Sequence, residues 1–209
     1  MIGKEQGRPA LLELLEFLIC YLLFAVREAM PFPSPCPPDV PVIETERLKL
    51  RGHTLEDAPN VTELWSNAQV TRYIGGKSLT AEECWARLLR YVGHWSLLGF
   101  GYWVVQERAT SEFVGEVGFS DSKREIEPPL GAVEVGWVLK PSKHGLGYAT
   151  EAVQAVLDWG RERFGSSPVA CLIHPEHHAS IRVAQKCGFT RRQLGIYKGD
   201  PTLIFDRIL

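Results

Sequence analysis

Residues 132–164 read AVEVGWVLKPSKHGLGYATEAVQAVLDWGRERF, and this stretch is the most informative part of the sequence. Side chains alternate in character along its start, which predicts a β-strand over 132–139. Small and apolar residues recur at helical spacing along its end, which predicts a helix over 149–164 that ends at Gly165. The strand has two faces, with Val133, Val135, Trp137 and Leu139 on one and Glu134, Gly136 and Val138 on the other.

A turn with two glycines, His144-Gly-Leu-Gly-Tyr-Ala149, joins this strand to this helix. Small residues let main-chain amides approach a ligand closely, and a helix N-terminus adds unpaired donors and the positive end of its dipole. The turn therefore predicts a cradle for a phosphate or pyrophosphate, although a tight loop without a ligand has the same pattern. A nucleotide P-loop needs Gly-Lys-Ser/Thr and a dinucleotide fingerprint needs glycine in place of Thr150, so neither site is indicated.

The flanking sequence adds strands and helices on both sides of this unit. Strands are predicted over 47–51, 102–105, 113–119, 169–173 and 202–209, with a further one after Phe189, and helices over 54–67, 79–98 and 180–187. This order predicts an α/β (α+β) domain in which a mixed sheet carries helices on its faces.

Charge and cysteine content exclude several classes of protein. The 209 residues carry 23 Lys plus Arg and 25 Asp plus Glu, so nucleic-acid binding is not expected. Five cysteines form no CxxC pair, which predicts reduced thiols in a cytoplasmic protein: Cys20, Cys36, Cys84, Cys171 and Cys187. Cys171, His174, His177 and His178 follow no recognised metal-ligand spacing, so no metal is predicted.

The chain before residue 43 differs in composition from the rest. Residues 1–30 contain LLELLEFLICYLLFAV, whose uninterrupted apolar run is shorter than the about 20 residues of a membrane span. We expect an amphipathic helix that packs on the domain or on a partner, unless Met30 is the natural start. A secretory signal would lack a good cleavage site. Residues 31–42 hold six prolines and predict a stiff linker, which leaves 43–209 as the folded domain.

Six segments of the folded domain form a pattern more specific than any one motif. They are ERLKLR at 46–51, GFGYWVV at 99–105, EFVGEVGF at 112–119, VEVGWVL at 133–139, HGLGYATEA at 144–152 and PEHHASIRVAQKCGF at 175–189. In this order and spacing they resemble the GNAT superfamily of N-acetyltransferases, in the branch similar to ribosomal-protein N-terminal (alanine/serine) acetyltransferases. The resemblance implies a mostly antiparallel sheet, splayed at its centre, with helices on both faces.

The resemblance also implies acetyl-CoA as co-substrate, bound beside the 132–139 strand. Main-chain groups of residues 137–139 would pair with the pantetheine arm, and the amides of residues 145–150 would hold the pyrophosphate. The family pattern has Arg or Gln where this sequence has His144 and an asparagine where it has His177, while Lys143 would add positive charge. The implied cofactor-binding residues are Trp137, Val138, Leu139, Lys143, His144, Gly145, Leu146, Gly147, Tyr148, Ala149, Thr150, His177 and Ser180.

Four side chains are candidates for the chemistry. Glu134 resembles the strand glutamate that serves as a base in relatives, or is a structural carboxylate, and Asp200 is the rival base. Ser180 matches the serine that approaches the CoA sulfur, or is an ordinary helix-start residue. The tyrosine acid of many relatives is missing because that position is Ala184, which leaves Tyr197 as a weaker candidate for the acid.

The implied activity is acetyl transfer to a primary amine, on a protein N-terminus or a small molecule. A neutral amine would attack the thioester directly in a ternary complex, without a covalent enzyme intermediate. The alternative is a catalytically weak or inactive acyl-CoA-binding module, because His144, His177 and Ala184 depart from the family pattern. A monomer or a homodimer is expected, and the apolar N-terminal segment is the element suited to pairing.

Overall fold

The computed structural model describes residues 39–209, and its main elements follow the predicted order. The strands are β1 (Ile43–Glu44), β2 (Leu48–Arg51), β3 (Tyr102–Glu107), β4 (Phe113–Ser120), β5 (Ile126–Glu127), β6 (Val133–Leu139), β7 (Pro168–Ile173), β8 (Thr190–Tyr197) and β9 (Asp200–Ile208). The helices are α1 (Ala58–Ser66), α2 (Ala68–Thr71), α3 (Ala81–Leu98), α4 (Tyr148–Phe164) and α5 (His178–Lys186), with 3₁₀ turns at Leu55–Asp57 and Pro141–Lys143.

The nine strands of this part of the chain form one sheet, in the order β1-β2-β3-β4-β6-β7-β9-β8-β5. Neighbouring strands run antiparallel except β6 and β7, which are parallel. Within the described residues β6 and β7 pair at two positions only, Val133 with Val169 and Glu134 with Ala170. Beyond Glu134 the two strands separate, so one edge of β6 faces a gap. The predicted mixed, mostly antiparallel sheet with a central splay is confirmed.

Two hydrophobic cores cover the two faces of the sheet, and β6 contributes to both. On one face α4 packs Val153 and Val156 into the core that holds Val135. On the other face α1 and α3 pack Leu64 and Leu88 into the core that holds Val138. Each such side chain contributes roughly 1.5–3 kcal/mol when fully buried. The predicted alternation along this strand is therefore correct. Because alternate side chains of β6 are buried in opposite cores, the strand is held between two layers of helices.

Element boundaries differ from the predictions mainly where elements are short. The helix predicted over 180–187 begins at His178, so Ser180 is its third residue and the N-cap position belongs to His177. The strands β1 and β5 and the helix α2 are too short to show a periodicity in the sequence. Longer elements have clear signals. For example, Thr80 and Glu83 form the reciprocal side-chain cap at the predicted start of α3.

Several predictions fall on residues that the structure does not describe. The apolar segment 1–30 and most of the linker 31–42 lie outside residues 39–209, as do Cys20 and Cys36. The cysteines at 84, 171 and 187 are free and buried. Across residues 39–209, no helix combines the length and apolarity needed to cross a membrane, and no group of three or more His, Cys, Asp or Glu side chains is placed to hold a metal ion.

Candidate functional site

A cleft of about 260 Å³ lies where β6 separates from β7. Its walls come from the end of β6, the glycine turn, the start of α4, and residues of α2 and α5. Of the residues predicted to bind the cofactor, these line it: Trp137, Val138, Leu139, Lys143, His144, Gly145, Gly147, Tyr148, Ala149, Thr150, His177 and Ser180. Leu146 does not line the cleft, and its side chain is exposed. The fold thus gathers these predicted residues around one opening.

The glycine turn leaves the N-terminus of α4 open toward this cleft. Gly145 and Gly147 adopt positive φ values of 78° and 84°, which strain any residue with a side chain. Gly147 occupies the N-cap position, and no side chain caps the helix there. The first N–H groups of a helix have no partner inside the helix, so they are available to an anion at this point.

An ion pair that sequence reasoning missed holds this turn in place. The Glu151 carboxylate in the first turn of α4 accepts hydrogen bonds from Arg47 Nε at 2.8 Å and Thr45 Oγ1 at 2.6 Å. The same Arg47 donates from Nη1 to the Leu146 carbonyl at 2.9 Å. Burial raises the pKa of Glu151, but its hydrogen bonds to Thr45 and Arg47 outweigh this and lower it overall. Arg47 therefore ties the turn to both β2 and α4.

Two predicted residues of the turn already have protein partners. His144 Nε2 donates to the Leu139 carbonyl at 3.0 Å, in the tautomer with its proton on that nitrogen, and so anchors the turn to the end of β6. Lys143 Nζ contacts Glu112 at 2.7 Å and Glu107 at 3.0 Å, and these carboxylates raise the pKa of the lysine. The charge that Lys143 was expected to offer a phosphate is thus largely shared with carboxylates.

Helix α5 supplies the opposite wall and two further cations. Arg182 and Lys186 line the cleft, and neither has a carboxylate within ion-pair distance among the described residues. His177 stacks on Tyr73, with ring centroids 4.7 Å apart. Burial, reinforced by neighbouring histidines, lowers the pKa of His177 to about 4, so the ring is neutral at pH 7.

The candidate carboxylates lie apart from the lining of the cleft. Glu134 is buried, and Arg124 binds both of its oxygens, with Nη2 at 2.8 Å from Oε1. Arg124 Nη1 also donates to the Tyr197 hydroxyl at 3.0 Å, so Glu134, Arg124 and Tyr197 form one polar group. Asp200 is exposed at the start of β9 and is paired in the hairpin with Tyr197.

A second buried carboxylate, Glu116 on β4, was also missed by sequence reasoning. Its oxygens bind His53 Nε2 at 3.0 Å and Trp65 Nε1–H at 2.8 Å, and its side chain is fully buried. Arg87 lies over the Trp65 ring, 3.6 Å from its centroid. The signal in the sequence was a lone glutamate inside an otherwise apolar strand. Since a buried charge requires polar partners, this pattern predicts a group of polar side chains around Glu116.

Residues 47–190 match the family model described as an acetyltransferase (GNAT) domain. The chain belongs to this family. Curated relatives agree: the uncharacterised N-acetyltransferase YoaA of Bacillus subtilis (strain 168) is 27% identical over 166 residues, which cover 77% of this chain and 92% of the relative.

Solved acetyltransferase structures share the fold at lower identity. An acetyltransferase from Agrobacterium tumefaciens strain C58 has a TM-score of 0.71 and 24% identity, covering 84% of this chain and 99% of its own. RimL, a ribosomal L7/L12 α-N-protein acetyltransferase solved in complex with coenzyme A, has a TM-score of 0.67 and 19% identity. The match covers 81% of this chain and 98% of the RimL chain. The predicted family and enzyme class, an N-acetyltransferase, are confirmed, and the acetyl donor of this family is acetyl-CoA.

Proposed function

We propose that this GNAT protein transfers an acetyl group from acetyl-CoA to a primary amine, on a protein N-terminus or a small molecule. The observation that carries the proposal is the cleft at the splay between β6 and β7, lined by every predicted cofactor-binding residue except Leu146. An extended arm can pair with the free edge of β6 as an added strand would, while a diphosphate meets the open N-terminus of α4.

The charges around the cleft suit an anionic ligand. Arg182 and Lys186 offer positive charge from α5, in addition to the dipole of α4. Lys143 contributes less, because Glu107 and Glu112 already bind its ammonium group. The phosphates would therefore be held chiefly by main-chain N–H groups of residues 145–150 and by the cations of α5.

The chemistry proceeds by direct attack. The nitrogen of a neutral amine forms a bond to the thioester carbonyl carbon, the carbon–sulfur bond breaks, and its electron pair stays on sulfur while the amine loses a proton. Burial raises the pKa of the Cys187 thiol to about 11, and it also raises the pKa of the Cys171 thiol well above its ordinary value, so neither is a thiolate at neutral pH. Among the described cysteines these two are therefore unsuited to forming an acyl-enzyme.

Glu134 is the base in this proposal, with Asp200 as its rival. Arg124 binds both oxygens of the Glu134 carboxylate in the free protein, so this ion pair competes with the transfer of a proton from an amine to Glu134. This ion pair, together with Ala184 in place of a tyrosine acid, favours a second candidate function: a GNAT module that binds acyl-CoA with weak or no turnover.

Two measurements separate these functions. In a thermal-shift titration, acetyl-CoA should raise Tm in a saturable way, and absence of any shift would refute both candidates. A thiol-release assay over a panel of peptides with free N-termini and of small primary amines then tests turnover. Release that depends on one class of amine supports the enzyme and identifies its acceptor, whereas binding without release on any amine supports the module.

A further inference from the structure

Tyr102 on β3 lies across two strands of the sheet. Its register partner on β4 is Gly118, whose own partner on β6 is Gly136. The phenol reaches Gly136 because this position has no side chain: a Cβ there would lie 1.9 Å from Tyr102 Oη. On its other side the ring stacks on Tyr91 of α3, with centroids 4.6 Å apart and planes at 16°. The hydroxyl is thus held in one place by the sheet and by α3.

That place is the inner end of the splay. The pairing of β6 with β7 stops at Glu134, and the cleft is lined from Trp137 onward, so Gly136 lies between the closed and open parts of the gap. A ligand that follows the edge of β6 inward from Leu139 reaches Gly136 after three residues, or roughly 10 Å. The reactive end of an acyl arm whose phosphates rest on α4 would arrive here.

The Tyr102 hydroxyl is free to donate. Within residues 39–209 it has no hydrogen-bond partner, whereas its backbone carbonyl accepts from Trp95 Nε1 at 2.9 Å. Burial and the nearby Glu134 carboxylate raise the pKa of Tyr102, so the phenol stays protonated at neutral pH. A protonated, positioned hydroxyl without a partner is suited to an oxygen that gains negative charge.

We propose that Tyr102 is a catalytic residue whose hydroxyl donates a hydrogen bond to the carbonyl oxygen of the acetyl thioester. The inference rests on the proposed function and adds a residue to it. As the amine nitrogen bonds to the carbonyl carbon, negative charge grows on this oxygen. The carbonyl double bond then re-forms, the carbon–sulfur bond breaks with its electron pair on the sulfur, and the amine proton passes to the base, Glu134 or its rival Asp200. The phenol keeps its proton throughout, so it stabilises the charge without acting as an acid or a base.

The test compares Tyr102→Phe with the full-length wild type. The phenylalanine keeps the stack on Tyr91 and removes only the hydroxyl, so Tm and acetyl-CoA affinity should be preserved while kcat falls by roughly 10²–10³-fold. In infrared difference spectra of bound acetyl-CoA, the wild type should shift the thioester carbonyl stretch to lower frequency, and Tyr102→Phe should abolish that shift. Tyr91→Phe, which also removes one phenol hydroxyl from the stack, is the matched control.

A second variant tests the geometry independently. Gly136→Ala places a methyl group where the hydroxyl lies and should reproduce both the loss of rate and the loss of the carbonyl shift, whereas Gly93→Ala, whose Cβ meets nothing within 4 Å, should not. If Tyr102→Phe binds acetyl-CoA with an unchanged rate and carbonyl frequency, the role of Tyr102 is refuted while the proposed function stands. If the wild type itself does not bind acetyl-CoA, the proposed function fails with it.

Discussion

Arg124 and Glu134 form a two-point ion pair, in which Nε and Nη2 of the guanidinium each bind one carboxylate oxygen. Glu134 is buried near the point where β6 leaves β7, while Arg124 comes from the connection between β4 and β5. The pair therefore ties a surface connection to the centre of the sheet. It also holds in place the carboxylate that we propose as the base.

Removing only the arginine of this ion pair should lower the free energy of unfolding more than removing both charges. Arg124→Met leaves a buried carboxylate without its partner, so we expect a loss between the ~1 kcal/mol of exposed pairs and the ~3 kcal/mol of buried ones. The double variant Arg124→Met/Glu134→Gln should recover part of this loss, because no uncompensated charge remains. Urea unfolding of the four proteins in this cycle measures the coupling, and purely additive losses would contradict it.

Removing the Glu134 charge alone should separate catalysis from binding. Glu134→Gln keeps the shape of the side chain but replaces one acceptor oxygen with an NH2 group and cannot accept a proton, so kcat should fall by roughly 10²–10⁴-fold. Acetyl-CoA affinity should change little, because Glu134 does not line the cleft. Asp200→Asn is measured in parallel. A loss of kcat in that variant, with an unaltered rate in Glu134→Gln, would transfer the role of base to Asp200.

The outline of this site could be predicted because its main parts are contiguous in the chain. The strand 132–139, the glycine turn and the start of α4 all lie within one stretch, and the spacing of their residues carries the signal. The contacts that hold the site are not contiguous. Arg47 and Glu151 are 104 positions apart, and Arg124 and Tyr197 are 73 apart, so only the folded sheet reveals them as partners. Tyr102 was overlooked for the same reason, since its role depends on glycines in two other strands.

The glycine turn provides a direct test of the cofactor cradle. Gly147→Glu adds a bulky negative side chain at a residue with φ of 84° in the lining of the cleft, so it should abolish the acetyl-CoA thermal shift. Backbone strain alone could weaken the protein by about 1–3 kcal/mol. Gly165→Glu is the matched control, because Gly165 also has a positive φ but lies at the C-terminal end of the same helix. Retained binding in Gly147→Glu would refute the cradle.

The cations of α5 should contribute to affinity through charge. Arg182→Gln and Lys186→Gln should each weaken acetyl-CoA binding about fivefold at low salt, which corresponds to ~1 kcal/mol for an exposed charge pair. The difference in affinity between each variant and the wild type should shrink as salt is added, because salt screens the attraction between these cations and the phosphates in the wild type. Arg161→Gln, near the other end of α4, removes a cation about 20 Å along the helix from the glycine turn and serves as control. Calorimetric titration at two salt concentrations tests this, and equal affinities for all four proteins would exclude a role for these cations.

His177 should make the folded state sensitive to acid. Burial lowers its pKa from 6.5 to about 4, so between these values the unfolded chain binds a proton that the folded protein does not. The neutral ring therefore stabilises the fold fully above pH 6.5, and this contribution is lost progressively as pH falls toward 4. His177→Gln should flatten the decline in the free energy of unfolding across this range, measured by urea unfolding at several pH values. His178→Gln, which removes an exposed histidine beside it and leaves the Tyr73 stack, should retain the decline of the wild type. An equally steep decline in His177→Gln would show that other groups cause it.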